Sequence, residues 1–164
     1  MTIDEFNTYI NSIPENISTV VPEIVAETAT EYYKEAFSKK AFDRNPWVPA
    51  KKLKSKGSLL VNSGNLMNSI RPSEINPHRV VISAGNDHVH YAKAHNEGSN
   101  ETITVPAHNR LKKGKSKKTN DSDTVFVKQH TRKQNIPQRQ FIAQSKELND
   151  IIKQRIDDFI DSIL

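Results

Sequence analysis

The chain has 164 residues, 35% of them hydrophobic and 26% charged, with a formal net charge of +5. That is the length of one ordinary domain, and no apolar run approaches the roughly 20 residues needed to cross a bilayer, so a single non-membrane domain over residues 1–164 is expected. The absence of cysteine excludes a disulfide framework, thiolate catalysis and cysteine-ligated zinc or iron-sulfur sites, and only five glycines leave little material for phosphate-cradling loops.

Charge is separated along the chain. Residues 1–37 hold seven acids against Lys34, a net −6, whereas residues 107–139 hold ten bases against Asp121 and Asp123, a net +8. Such polarity suits either an acidic partner for the basic region, nucleic acid included, or head-to-tail contact between copies. The opening Met1-Thr-Ile-Asp-Glu carries acids where a secretory signal carries bases, so no export signal is expected.

In chain order, Phe6, Tyr9, Ile10 and Ile13 predict a short helix over Asp4–Ile13 that Pro14 stops. A second helix is predicted over Pro22–Phe37, with the proline in its first turn, an apolar stripe of Ile24, Val25, Ala29, Tyr32, Tyr33, Ala36 and Phe37, and acids on the other side. Asn45-Pro-Trp-Val-Pro49 is expected to be irregular and extended, because each proline removes a donor and disfavours helix before it. Lys51–Gly57 follows as an exposed loop.

The stretch "LLVNSGNLMNSI" (Leu59–Ile70) places a short β-like run before a turn at Ser63-Gly64 and an ordered segment after it. Leu66–Glu74 is expected to pair with a strand at His78–Ala84, and Val89–Glu97 to form a short helical turn stopped by Gly98. Thr102–Val105 and Thr124–Val127 are predicted strands, joined by a long mobile hairpin loop, residues 106–123, rich in Lys, Ser, Asn and Gly. Apolar residues at helical spacing from Ile142 to Ile163 predict a terminal helix over Phe141–Leu164. The class is therefore α+β: a small, mostly antiparallel sheet with a long hairpin loop, packed against N-terminal and C-terminal helices.

Chemistry is sparse. His88-Val-His90, with His95 beyond, could present imidazoles to a metal, but the spacing fits no ligand pattern and ordinary surface or packing histidines serve as well, so no metal, cofactor or catalytic residue is assigned. The basic set Arg110, Lys112, Lys113, Lys115, Lys117, Lys118, Lys128, Arg132 and Lys133 has the composition of a phosphate-binding arm, yet a lysine-rich loop can also be merely solubilising, and the lysine run holds no aromatic to stack on bases. Trp47, set between prolines, is either a core plug beneath the helix before it or an exposed partner anchor.

Four stretches in order resemble one family. "NPWVPAKK" resembles its Trp-x-Pro element, "LLVNSGNLMNSI" its Leu-x-x-(Thr/Ser)-Gly-x-Leu-x-x-Ser-Ile signature, "HYAKAHNEG" its Tyr-Ala-x-x-His-x-x-Gly element, and "NIPQRQFI" its Ile-Pro-x-Arg-x-Phe-(Leu/Ile) element. The family is that of the virion morphogenesis, or tail completion, proteins of tailed bacteriophages, and the resemblance spans Pro46 to Ile142. Ser63 stands where threonine is common, Gln140 where proline is common, and the lysine-rich loop is a lengthened insertion.

The resemblance implies structural jobs for the motif residues. Leu66, Met67 and Ile70 would be core and Ser63-Gly64 a tight turn; Tyr91, His95 and Gly98 would form a packed turn. Pro137 would end an extended segment, Arg139 would bridge to a carboxylate or carbonyl, and Phe141 would enter the core as the last helix begins. It also implies a non-enzymatic virion protein at the head-tail junction, assembled in the bacterial cytoplasm as a ring, expected to be a hexamer. Its partners would be copies of itself, other neck and tail proteins, and DNA in the lumen bound without sequence preference; it would have no membrane partner. A tail terminator or neck stopper of the same fold, or a small nonspecific DNA-binding protein using the basic loop, are the alternatives.

Overall fold

A computed structural model describes residues 3–50, 57–111 and 124–163. The chain opens with one continuous helix, α1 (Ile3–Lys39), and not with two helices separated at Pro14. Both Pro14 and Pro22 lie inside it, so Pro22 is no helix start. Each proline removes an intrahelical donor at a typical cost of about 3 kcal/mol. Burial downstream offsets this: Pro22, Ala26, Ala29, Tyr33, Ala36 and Phe37 form a buried stripe at three-and-four spacing, packed on the last helix and on a hairpin.

Next comes a miniature hairpin of β1 (Ala41–Phe42) and β2 (Asn45–Pro46), so the start of the expected irregular segment is paired. Its two-residue turn, Asp43-Arg44, has positive φ at both positions (47° and 65°), the type I′ geometry that matches strand twist. Residues 51–56, most of the expected exposed loop, lie outside the described residues. Helix α2 (Asn65–Asn68) takes the place of the front of a predicted hairpin arm; the actual arm, β3 (Arg71–Asn76), pairs antiparallel with β4 (Arg79–Ser83) through a Pro77-His78 turn and carries a bulge between Pro72 and Glu74. The expected short helix appears as α3 (Ala92–Glu97), stopped by Gly98.

Strand β5 (Ser99–Val105) pairs with β8 (His130–Ile136), and β6 (His108–Leu111) pairs with β7 (Thr124–Val127). The pairing of Thr102–Val105 with Thr124–Val127 that the sequence suggested is therefore wrong. Part of the expected loop, 108–111, is strand, and 112–123 lie outside the described residues. Helix α4 (Lys146–Ile163) begins five residues later than expected, capped by Ser145, whose Oγ accepts the Leu148 amide at 3.2 Å.

The result is α+β, with helices at both ends, but the described strands form four separate two-stranded antiparallel ladders and not one sheet. The core gathers on α1: Tyr32 and Tyr33 against Phe42, Phe37 against Trp47 and Phe141 at ring-centroid distances of 5.4 and 5.1 Å, with Leu66, Ile70, Val89, Ala92 and Leu148 closing around them. Polar pins reinforce the α1–α4 contact. Tyr32 Oη lies 2.9 Å from Ser145 Oγ, Ser145 donates to Asp43 at 2.9 Å, and Arg155 reaches both Thr28 Oγ1 (3.1 Å) and Glu31 (2.9 Å).

Candidate functional site

Two regions bear on function: the knot in which the motif residues meet, and the basic strands that leave it. The knot forms because stretches far apart in sequence exchange hydrogen bonds. Trp47, 7% exposed, donates Nε1–H to the Gln140 carbonyl at 2.6 Å, which makes it the core plug and not a partner anchor. Arg139 donates from Nε to the Val48 carbonyl at 2.8 Å and from Nη2 to the Pro49 carbonyl at 3.4 Å. Its side-chain partners are thus carbonyls, and burial pushes the guanidinium below its ordinary pKa. Its own amide donates to the His95 carbonyl at 2.8 Å, so Arg139 ties three of the four motif stretches together.

Within the second stretch, Gly64 sits at φ +81° just before α2, which is the expected turn, while Ser63 is exposed. Leu66 and Ile70 are core, whereas Met67, expected to join them, is half-buried against that core. Ser69, between them, donates to the Leu66 carbonyl at 2.7 Å and accepts the Gly85 amide at 3.0 Å, joining α2 to the end of the β3–β4 hairpin. In the third stretch the exposed Tyr91 ring meets the His95 ring edge-on at 5.8 Å, and the His95 amide donates to the Tyr91 carbonyl at 3.1 Å. Gly98 adopts φ +80° and ψ 161°, and a Cβ there would lie 3.1 Å from the Gln138 amide nitrogen. Pro137 is half-buried beside Arg139, and Phe141 is core at 1% exposure, although the helix it was expected to begin starts later.

One organising residue escaped the sequence reading. Asn96 accepts the amides of Phe141 (2.9 Å) and Ile142 (3.0 Å) on Oδ1 and donates from Nδ2 to the Ile142 carbonyl at 3.0 Å. It holds the chain entering α4 as a neighbouring strand would. An asparagine between His95 and Glu97 gives no periodic signal, because its partners lie 45 and 46 residues away.

The second region is a ribbon. No described residue from Ser99 to Leu111 or from Thr124 to Ile136 is buried. Alternation sorts the β5–β8 ladder into two faces: Ser99, Ile103, Val105, Gln134 and Ile136 are half-covered on one, and Asn100, Thr102, Thr104, Thr131, Lys133 and Asn135 are all exposed on the other. The two ladders are separated symmetrically by Pro106-Ala107 and Lys128-Gln129. Matching histidines fold over this break, with His108 Nδ1 2.9 Å from the Pro106 carbonyl and His130 Nδ1 3.0 Å from the Lys128 carbonyl.

Of the predicted contact residues, Arg110, Lys128, Arg132 and Lys133 lie exposed on this ribbon, with Glu101 the acid among its described residues. Lys112, Lys113, Lys115, Lys117 and Lys118 lie outside the described residues. Apolar groups accompany the bases at the far end: Phe126 is 62% exposed and Val125 40%. The knot and the ribbon otherwise offer little chemistry. Among the described residues no group of three or more His, Cys, Asp or Glu could hold a metal, and no helix is long and apolar enough to cross a membrane.

A groove of about 500 Å³ opens between α1 and α4, with Tyr32, Met67 and Ile151 as apolar walls and Glu31, Lys34, Glu35 and Arg155 as its charged lining. Beside it, α1 exposes Glu23, Glu27, Glu31 and Glu35, one per turn. Comparison with protein-family models, with curated proteins and with solved structures found no match.

Proposed function

We propose that this chain is a non-enzymatic structural subunit of a tailed-bacteriophage virion, acting in tail completion and head-tail joining as part of a ring. One observation carries the reading: the four stretches that resemble that family converge on a single knot around Phe141, locked by Trp47, Arg139 and Asn96. Residues with that much interlocking specify a shape. Their hydrogen bonds go to backbone carbonyls and amides, which is the chemistry of a scaffold and not of a turnover site.

The test is electron microscopy of assembled virions with the chain located by labelling. A ring of this chain at the head-tail junction is the expected result; infectious particles that lack it entirely overturn the proposal. A second reading is favoured by the exposed bases on a two-stranded ribbon, since a ribbon of that width fits a DNA major groove. It predicts duplex affinity that falls steeply with salt and disappears when Arg110, Lys128, Arg132 and Lys133 are neutralised together.

A further inference from the structure

We infer that the basic ribbon of one copy docks on the acidic α1–α4 face of a second copy, seating Phe126 in the groove walled by Tyr32, Met67 and Ile151. The inference rests on the ring reading, because it names the contact between neighbouring subunits.

The ribbon needs an occupant for its distal end. A lone two-stranded hairpin is marginal in water, and this one has no buried residue along its described length. At its far end apolar side chains fall on both faces, with Val125 and Val127 on one and Leu111 and Phe126 on the other. Covering either face with an apolar wall would remove Phe126 or Val125 from water, and edge strands of this kind are also open to further pairing.

Charge selects the partner. The described ribbon, residues 99–111 and 124–136, carries four bases and one acid, a net +3, whereas residues 17–39 and 146–163, the α1 and α4 segments, carry nine acids and five bases, a net −4. Ribbon on ribbon repels, and helix pair on helix pair repels. Ribbon on helix pair attracts, so the favoured contact is head-to-tail, the arrangement that closes into rings when the rotation allows. Within the groove Glu31 and Glu35 already bridge Arg155 (2.9 Å) and Lys39 (3.0 Å). Both bridges are exposed, and such pairs hold little energy, so an incoming Lys128, two residues from Phe126, can exchange with them.

A rival groove of about 360 Å³, lined by Val48, Leu59, Leu60, Pro137 and Arg139, is apolar enough for Phe126. It presents the Arg139 guanidinium with no carboxylate to offset it, whereas Glu31 and Glu35 offset Lys34 and Arg155 in the α1–α4 groove. The α1–α4 groove is therefore the seat.

The chain has no cysteine, so single cysteines report the contact directly. N109C, directly across from Phe126 and on its face, is activated as a mixed disulfide to prevent self-pairing and mixed with S38C at the groove rim, or with S73C on the exposed β3 as control; all three positions are exposed and tolerate the change. The expected result is heterodimer with S38C several-fold above the control. Its yield should fall several-fold in about 0.5 M salt, where the Debye length shrinks to roughly 4 Å, and again when R132E and K133E are added. Yields equal to control at low salt overturn the inference, as does transfer of the preference to a cysteine at Leu59; so does loss of the preference whenever duplex DNA is absent.

The two proposals fail separately. A ring in virions without preferential cross-linking removes the docking contact and leaves the junction role. Preferential cross-linking by a chain absent from virions does the reverse.

Discussion

Replacing Asn96 tests the knot at its least obvious point. The Asn96→Ala change deletes one acceptor that serves two amides and one donor that serves a carbonyl. Phe141 is 1% exposed, so its amide cannot turn to water and bears the full cost of an unsatisfied buried donor, about 1–3 kcal/mol. Ile142 is half-buried, water can reach its amide in part, and its share is about 1 kcal/mol. The expected total is about 2–4 kcal/mol, a large part of the 5–15 kcal/mol that holds a typical domain and roughly 5–15 °C in Tm at this size. Asn96→Asp keeps the double acceptor and loses the donor, so it should cost less, about 1–2 kcal/mol. Urea titration followed by circular dichroism measures both, with a lower midpoint at unchanged slope as the expected signature. An alanine variant within about 0.5 kcal/mol of the parent refutes the argument, and so does an aspartate variant as damaging as alanine, because either result means the two amides do not depend on Oδ1.

Three further outcomes follow from the same packing. Trp47→Phe should cost about 2 kcal/mol in urea titration, since it strands the Gln140 carbonyl and leaves space beside Phe37. Gly98→Ala should cost about 2 kcal/mol or more by the same assay, because φ +80° with ψ 161° is open almost only to glycine and the new methyl would press on Gln138. Burial, reinforced by Tyr32, raises the Tyr33 pKa above its ordinary 10.0, so the folded state prefers the protonated phenol. Its contribution is complete below pH 10 and is lost as pH rises through the folded value; thermal melts from pH 9 to 11.5 should show a decline that Tyr33→Phe makes shallower.

What the sequence could reveal depended on how local the cause was. Periodicity located the stretch of α1 that packs, because Ala29, Tyr33, Ala36 and Phe37 are buried for the same reason that they recur. It misjudged the helix ends. Pro14 and Pro22 carry a local signal for stopping, and the packing that outweighs it comes from α4 and the β3–β4 hairpin, which are distant in sequence. Conversely, Phe141 and Ile142 continue the apolar spacing of α4 yet lie before it, because Asn96 binds their amides and Ser145 sets the cap. Trp47 showed its ambiguity openly: an indole between prolines fits either a core or an anchor, and only the Gln140 carbonyl decides. The ribbon's register was the least legible part. Thr102–Val105 and Thr124–Val127 have similar β propensity, and nothing local states that the polar run His130–Lys133 is the true partner of the first.

That misjudged register carries functional weight. Had Thr102–Val105 paired with Thr124–Val127, the bases would have sat on a long loop and Lys128, Arg132 and Lys133 would have followed it as separate chain. With β8 in the ladder, Arg132 stands directly across from Ile103 and Lys133 across from Thr102. Cross-strand pairing then fixes both bases in place, Arg132 beside Ile103 on one face and Lys133 beside Thr102 on the other, with little of the backbone entropy that a free lysine loop must lose on binding. A surface that sets Phe126 among positioned cations suits a partner offering both carboxylates and an apolar wall. The α1–α4 groove offers both, since Glu31 and Glu35 lie beside Tyr32, Met67 and Ile151. A duplex phosphate backbone supplies the charge but leaves Phe126 in water, which favours the proposed contact with a second copy of this chain over one with DNA.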